Sequence, residues 1–453
     1  MFASCRNMTE IYFSPQFNNI EIKSMNQMFY SCNSLTSIDF TNFKIKNVET
    51  MQGMFYDCSS LKKINISNIN ISNVTSMKDM FLKCKELEYI EFPNIKTTQL
   101  NEIEGMFSGC SSLKSLDLSN FDTKQISSFY NLFNGCNSLT SLNISNFVTT
   151  KVTNMKEMFK ECYSLISLDL SNFDTNNLVN MDGIFTSCLQ LTSINLSSFK
   201  VNKVANLIEI FRNCSSLISL NLSMFNPKEA KSMTKMFFGC ISLVSIDFTN
   251  FDTSNVQNMQ FLFSDCYNLI SLDLSYFKTG NVKYMNNMFS NCSSLVSIIL
   301  SNLDTSKVGT LNYIFSGCSS LVSIDLTSFN TENVDSMNNM FSGCSSLVSL
   351  NLSNFNTQKV IDMNYMFNGC SSLTSIDLSN FLTNSLNSIN FMFKGCSKLT
   401  YIDISSFSKT FYNYLFLFDD SIPEEGTIIV KDETIENQIK KKYLQGWTFK
   451  YKN

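Results

Sequence analysis

Residues 109–123 read GCSSLKSLDLSNFDT, and close copies of this stretch recur from one end of the chain to the other. Cysteines mark the copies, at 5, 32, 58, 84, 110, 136, 162, 188, 214, 240, 266, 292, 318, 344, 370 and 396. The first gap is 27 residues and every later gap is 26. A fixed period of this length is the signature of a solenoid, whose repeats bury their apolar faces only against neighbouring repeats. The period therefore overrides the division into globular domains that 453 residues would otherwise suggest.

Counting from each cysteine, the third residue is leucine in every repeat from Leu35 to Leu399; Met8 alone departs. The sixth is Leu or Ile, as in Leu116, Ile246 and Ile376, and the eighth is Leu, Ile or Phe, as in Leu118, Phe248 and Leu378. The segment S-L-D-L-S thus alternates polar and apolar, the period of a strand with one buried face. One short strand per coil is predicted, paired in parallel with its counterpart in the next coil. A one-residue slip would turn every leucine outward, which protects the register.

Phe121 and its equivalents hold the eleventh position, with Ile or Leu instead at 69, 95 and 303. A polar D-T-x-x-V turn follows, and then the spacing changes. Val152, Met155, Met158, Phe159 and Cys162 are separated by steps of three, three, one and three, which places them on one helical face. A short helix is predicted over 153–161 and its counterparts, opposite the strands, with Thr153 or Asn154 as its cap. The phenylalanine three before each cysteine, from Phe2 to Phe393, reads as a repeated core column.

The run Leu113-x-x-Leu116-x-Leu118 matches the first half of the leucine-rich-repeat pattern. Phe121 stands where that pattern expects Asn or Cys, and asparagine sits one place earlier, as Asn120, Asn146 and Asn172. The whole unit, M-x-x-M-F-x-G-C-S-S-L-x-S-L-D-L-S-N-F-D-T, resembles the 26-residue repeats of BspA-like leucine-rich surface proteins, including mycoplasma-type surface lipoproteins, over roughly residues 1–410. The resemblance implies a cell-surface protein concerned with adhesion and with host or matrix binding, and it supplies no catalytic residues. The expected architecture is α/β: a curved leucine-rich-repeat solenoid of sixteen coils, with one parallel strand and one short helix per coil. At ~4.8 Å per coil it would extend on the order of 75 Å.

Composition narrows the function further. Apolar residues make up 44%, net charge is -4, and the 34 basic and 38 acidic residues are mixed along the chain without a basic stripe. Nucleic acid is not an expected partner. The most apolar run, 411–418, is too short to span a membrane, and no signal peptide opens the chain. One cysteine per repeat, always in the same slot, reads as a column of buried thiols. In-register stacking points their side chains in parallel and does not supply disulfide geometry. There is no histidine and no Cys-x-x-Cys pair, so neither a metal site nor a cofactor is expected. No unique nucleophile stands beside a base, and the serine–aspartate pairs recur in every coil. The chain does not read as an enzyme.

The seventh position is the outward middle of the strand. Down the stack it carries Asp117, Asp169, Asp247, Asp273, Asp325, Asp377 and Asp403 among asparagines, with Ile299 as an apolar exception. Serine and threonine columns run on either side. This broad acidic face is the candidate surface for a protein or glycan partner; calcium, which needs six to eight oxygens, fits a flat ladder poorly. Met224, Tyr276 and the turns at 226–230 and 278–280 break the consensus. Asn65, Asn73 and Asn143 begin Asn-x-Ser/Thr triplets, as expected in a chain so rich in Asn and Ser.

After Phe418 the period fails. Residues 419–453 are expected to form a cap on the solenoid of 1–418, with a strand at 427–430, a helix over 433–444 started by Asp432, and a closing strand at 447–451. Ile435, Ile439 and Tyr443 share one face of that helix, and Lys440–Lys442 its solvated side. Met1-Phe2 already stands inside a repeat, so upstream sequence or a partner is expected to cover the N-terminal edge. Two functions fit: a non-enzymatic surface adhesion or recognition module, or an intracellular, cytoplasmic scaffold.

Overall fold

A computed structural model of the chain describes residues 2–15, 20–43, 45, 47–92, 97–408, 417–439 and 444–452. It divides into two compact units, Met1–Leu217 with Met224–Pro227, and Ile218–Ser223 with Lys228–Asn453. Both are built from the same 26-residue coil, stacked through parallel strands.

Each coil strand is three residues long, as at Ser115–Asp117 and Ser141–Asn143 in the first unit and Ser271–Asp273 and Ser297–Ile299 in the second. Pairing is parallel and in register: Leu116 opposes Leu142, and Leu272 opposes Ile298. This is the alternation expected from S-L-D, with Leu116 buried and its flanking residues exposed. Two coils differ. The segments 323–325 and 349–351 keep the repeat sequence, yet they are not paired as strands; Val348 N–H to Val322 O, at 3.2 Å, joins the coils just before them.

The helices expected over 153–161 and its counterparts are not formed. Tandem turns stand there instead. Met158 N–H bonds Met155 O at 3.2 Å, and Cys162 N–H bonds Phe159 O at 3.2 Å. The third residues of these turns, Glu157 and Glu161, have φ of 55° and 60°, as type II turns require. Between the turn bonds, the N–H groups of Met155, Glu157, Phe159 and Glu161 leave their own coil. They reach Asn180 O, Asp182 O, Ile184 O and Thr186 O at 2.7–2.9 Å. A helix would spend those donors on i−4 carbonyls; here they tie one coil to the next. Asn154, expected as a helix cap, accepts from Lys156 N–H at 3.0 Å and closes a turn. The apolar spacing misled because four-residue turns also return the chain inward every third or fourth position.

Three further turns complete the coil, closed by Phe147 N–H to Ile144 O, Val152 N–H to Thr149 O and Leu165 N–H to Cys162 O. Every corner turns an apolar side chain inward: Ile144, Phe147, Val152, Met155, Met158, Phe159, Cys162 and Leu165 are all buried. The phenylalanine column stacks as expected, with Phe107, Phe133 and Phe159 at centroid spacings of 5.9 and 5.6 Å. In the second unit Phe289, Phe315 and Phe341 repeat it at 5.4 and 5.7 Å. The threonine of the D-T-x-x-V turn is buried as well. Thr123 donates its hydroxyl to Val148 O at 3.0 Å and accepts Val148 N–H at 2.7 Å, so the buried group is satisfied both ways.

At the C-terminus Thr427–Val430 and Thr448–Tyr451 form strands, the first pairing in parallel with Tyr401–Asp403 and the second with the first. The helix expected over 433–444 is described at Glu433–Ile439. Asp432 starts it, accepting from Thr434 and Ile435 N–H at 3.0 and 3.2 Å. Ile435 and Ile439 are its buried face; Tyr443 and Lys440–Lys442 lie outside the described residues, as do 411–416 of the apolar run and Ile95. Trp447 is buried, with its indole N–H on Pro423 O at 2.8 Å.

Candidate functional site

The seventh-position column projects from the strand face as expected. Asp117, Asp169, Asp247, Asp273, Asp325 and Asp377 are exposed, Ile299 is 49% exposed, and Asn143 is half-buried. Asp403 is the exception. It is 8% exposed, because the strand it ends pairs with Thr427–Val430 and sets Ile429 opposite it. It therefore does not belong to an accessible face.

These acids have a local task that the sequence reading overlooked. Asp117 accepts Ser119 N–H at 2.9 Å, Asp169 accepts Ser171 N–H at 2.9 Å, Asp273 accepts Ser275 N–H at 2.8 Å, and Asp377 accepts Ser379 N–H at 2.9 Å. Asparagines in the column do the same: Asn221 accepts Ser223 N–H at 2.9 Å. Each is an Asx turn that ends a strand. This explains why Asp and Asn interchange freely, since both offer the carbonyl-type oxygen the turn needs. The signal was in the sequence, as Asp or Asn two residues before Ser or Thr in nearly every coil.

At three of these acids the turn bonds also favour the ionised form. The Ser171 N–H, followed by the Ser171 hydroxyl, keeps the Asp169 carboxyl below its ordinary value. The Thr249 hydroxyl and N–H do this for Asp247, and the Thr327 N–H and hydroxyl for Asp325. Between neighbouring strands Asn65 donates to Glu91 at 2.7 Å, so an amide next to a carboxylate relieves repulsion with a bond. Two shallow open depressions lie along this face in the first unit. One, of about 510 Å³, includes Tyr89, Glu91, Asp117 and Asn143; the other, of about 410 Å³, includes Thr140, Asn143 and Asp169.

The tenth-position asparagine, one place early against the leucine-rich pattern, forms the inter-coil ladder. Asn146 and Asn172 donate to Ser119 O and Ser145 O at 3.0 Å. Ser198 and Ser328 take over the role with their hydroxyls. Met224 and Tyr276 replace the asparagine at this position and are 61% and 47% exposed. The 278–280 turn departs in sequence only, because Thr279 keeps the buried hydroxyl bond, to Asp304 O at 2.8 Å.

Among the described residues no group of three or more Cys, Asp or Glu is placed to hold a metal ion, and no helix is long and apolar enough to cross a membrane. The cysteines of the repeat are free thiols, buried from Cys32 to Cys396, while Cys5 is exposed.

A leucine-rich repeat protein from Bacteroides ovatus has a similar fold, with a TM-score of 0.55 at 19% identity over 98% of this chain and 94% of that one. A leucine-rich cell surface protein from Faecalibacterium prausnitzii aligns with a TM-score of 0.35 at 18% identity, over 88% of this chain and 86% of that one. A leucine-rich repeat protein from Eubacterium ventriosum aligns at 0.39 and 16%, over 84% and 85%. A search of curated proteins finds no match. The model of one protein family matches residues 1–114, 84–193, 142–246, 218–323 and 311–419, which together span most of the chain. The chain belongs to that family, DUF285, described as Mycoplasma protein of unknown function.

Proposed function

We propose that the chain is a non-enzymatic recognition module, displayed at the cell surface, which binds a protein or glycan ligand through its polar strand face. One observation carries this reading: a column of exposed acids whose positions are set by Asx turns. Such a face is organised before a ligand arrives, so binding does not have to order it. Asp117, Asp169, Asp247, Asp273, Ile299, Asp325 and Asp377 are the contact residues of this proposal. Residues 419–453 act as the solenoid's C-terminal cap. The surface location follows the resemblance to BspA-like proteins. A non-catalytic role is supported by the thiols, which burial pushes up towards the protonated, unreactive form, and by the lack of histidine.

The test has two arms. Protease added to intact cells should cleave the chain; protection until lysis would favour an intracellular scaffold instead. In the second arm, charge reversal at Asp117 and Asp169 should abolish capture of the ligand by purified protein. Undiminished capture would move the site off the first unit's strand face.

A further inference from the structure

The fourth position after each cysteine changes character along the chain. In the first unit it runs Lys62, Glu88, Lys114, Thr140, Ile166 and Thr192, with a single apolar residue; in the second unit it becomes Ile218, Val244, Ile270, Val296, Val322 and Val348 in unbroken succession. Five of these six are 44–55% exposed, and Val244 is half-buried. Backbone bonds join neighbours among them: Val244 N–H to Ile218 O at 2.8 Å, Ile270 N–H to Val244 O at 3.4 Å, Val296 N–H to Ile270 O at 2.9 Å and Val348 N–H to Val322 O at 3.2 Å. Six β-branched side chains in consecutive coils, at ~4.8 Å per coil, make an apolar stripe about 24 Å long. A contiguous exposed patch of this kind marks an interaction surface. Thr192 precedes it and Thr374 follows it.

Spacing and charge select the occupant. An α-helix advances about 5.4 Å per turn, close to one turn per coil, so about 16 helical residues would cover the stripe. An extended strand repeats its side chains every ~6.7 Å and falls out of step by about 2 Å at each coil. Three residues beyond the stripe, roughly 10 Å along the coil, stand the exposed carboxylates of Asp247, Asp273 and Asp325. No lysine or arginine occupies positions four, five, seven or nine from Ile218 to Ser379. A second copy of this chain, nucleic acid or an anionic lipid surface would bring negative charge to these acids.

We propose that the second unit docks an amphipathic α-helix of a partner protein along this stripe, apolar face on Ile218–Val348 and basic flank over Asp247, Asp273 and Asp325. The proposal rests on the recognition reading and names the chemistry of its partner.

The full chain would be titrated with three labelled 18-residue peptides, followed by fluorescence anisotropy. One has a leucine face flanked by lysines, one the same composition scrambled, and one glutamates in place of lysines. The lysine-flanked helix should bind at least ten-fold more tightly than either control. Ile270→Asn with Val296→Asn should weaken it at least ten-fold, and Asp273→Asn should weaken it and flatten its salt dependence. Val296→Thr, nearly isosteric, guards against misfolding and should give a smaller loss in the same direction. Thr140→Asn in the first unit should have no effect. Equal binding of all three peptides, indifference to the stripe substitutions, or a stripe-dependent dimer in sedimentation would each overturn the proposal. A natural ligand that depends on Asp117 and Asp169 but not on the stripe would overturn it while leaving the recognition reading intact. A ligand sensitive to neither would overturn both.

Discussion

The thiol of Cys136 donates to the carbonyl oxygen of Phe107 across the coil boundary, at 3.2 Å. The relationship recurs in both units: Cys58 to Phe29 at 3.0 Å, Cys162 to Phe133 at 3.3 Å, Cys292 to Phe263 at 3.2 Å and Cys370 to Phe341 at 3.2 Å. Each cysteine therefore fills space and gives a second donor to a buried carbonyl of the preceding coil, one that already accepts the turn N–H of its own coil. Alanine would do neither. Cys136→Ala should cost about 1–2 kcal/mol, from a small cavity and the loss of a second hydrogen bond to a carbonyl that still accepts Cys110 N–H at 3.0 Å. Urea unfolding would measure it, and an unchanged midpoint would show that the bond contributes nothing.

The same burial makes stability sensitive to alkali. Desolvation pushes the thiols of Cys58, Cys136, Cys188, Cys344 and Cys396 from an ordinary value of 9.0 up to about 12. Between these values the unfolded chain releases protons that the folded chain retains, so stability is intact below pH 9 and is lost as pH rises towards 12. Each such thiol contributes a slope of about 1.4 kcal/mol per pH unit in that window. Unfolding free energy measured from pH 7 to 11 should bend downwards near 9. With native protein at pH 8, a maleimide should label Cys5 and leave the buried thiols unreacted until denaturant is added.

Gly395 has φ of 77°, and a Cβ placed on it would lie 3.1 Å from the Cα of Gly369 in the preceding coil. Gly395→Ala should destabilise by about 1–2 kcal/mol from the left-handed backbone alone, with the steric contact adding to that. A shift in thermal midpoint would report it; no shift would mean that this corner relaxes freely.

Leu217 is fully buried in the first unit. Leu217→Ala should cost roughly 2–5 kcal/mol in denaturant unfolding, and a neutral result would put the third-position column outside the core.

Asp169 separates turn from charge. Asp169→Asn keeps the oxygen that accepts Ser171 N–H and should leave the melting temperature unchanged, whereas Asp169→Ala should lower it. If the carboxylate serves recognition, Asn should weaken ligand capture with the fold intact. Identical melting of all three proteins would deny the Asx turn a structural role.

Much of this molecule could be read from one dimension. A strict 26-residue period allows each leucine, phenylalanine and cysteine only one kind of neighbour, its own copy one coil away. Strand position, register and the buried columns follow from that, because a slip would expose them all together. The apolar stripe was equally legible, had the fourth position been compared from coil to coil. The third quarter of the coil was not. Steps of three and four are shared by a helix and by tandem turns, and what separates them is the destination of four N–H groups. Met155, Glu157, Phe159 and Glu161 donate to carbonyls 25 residues away, a choice that exists only once a second coil lies alongside. Asp403 makes the same point at the chain's other end. Its repeat context marks it as exposed, and it is buried because the following strand lays Ile429 against it, a pairing between segments of unlike sequence that no internal period announces.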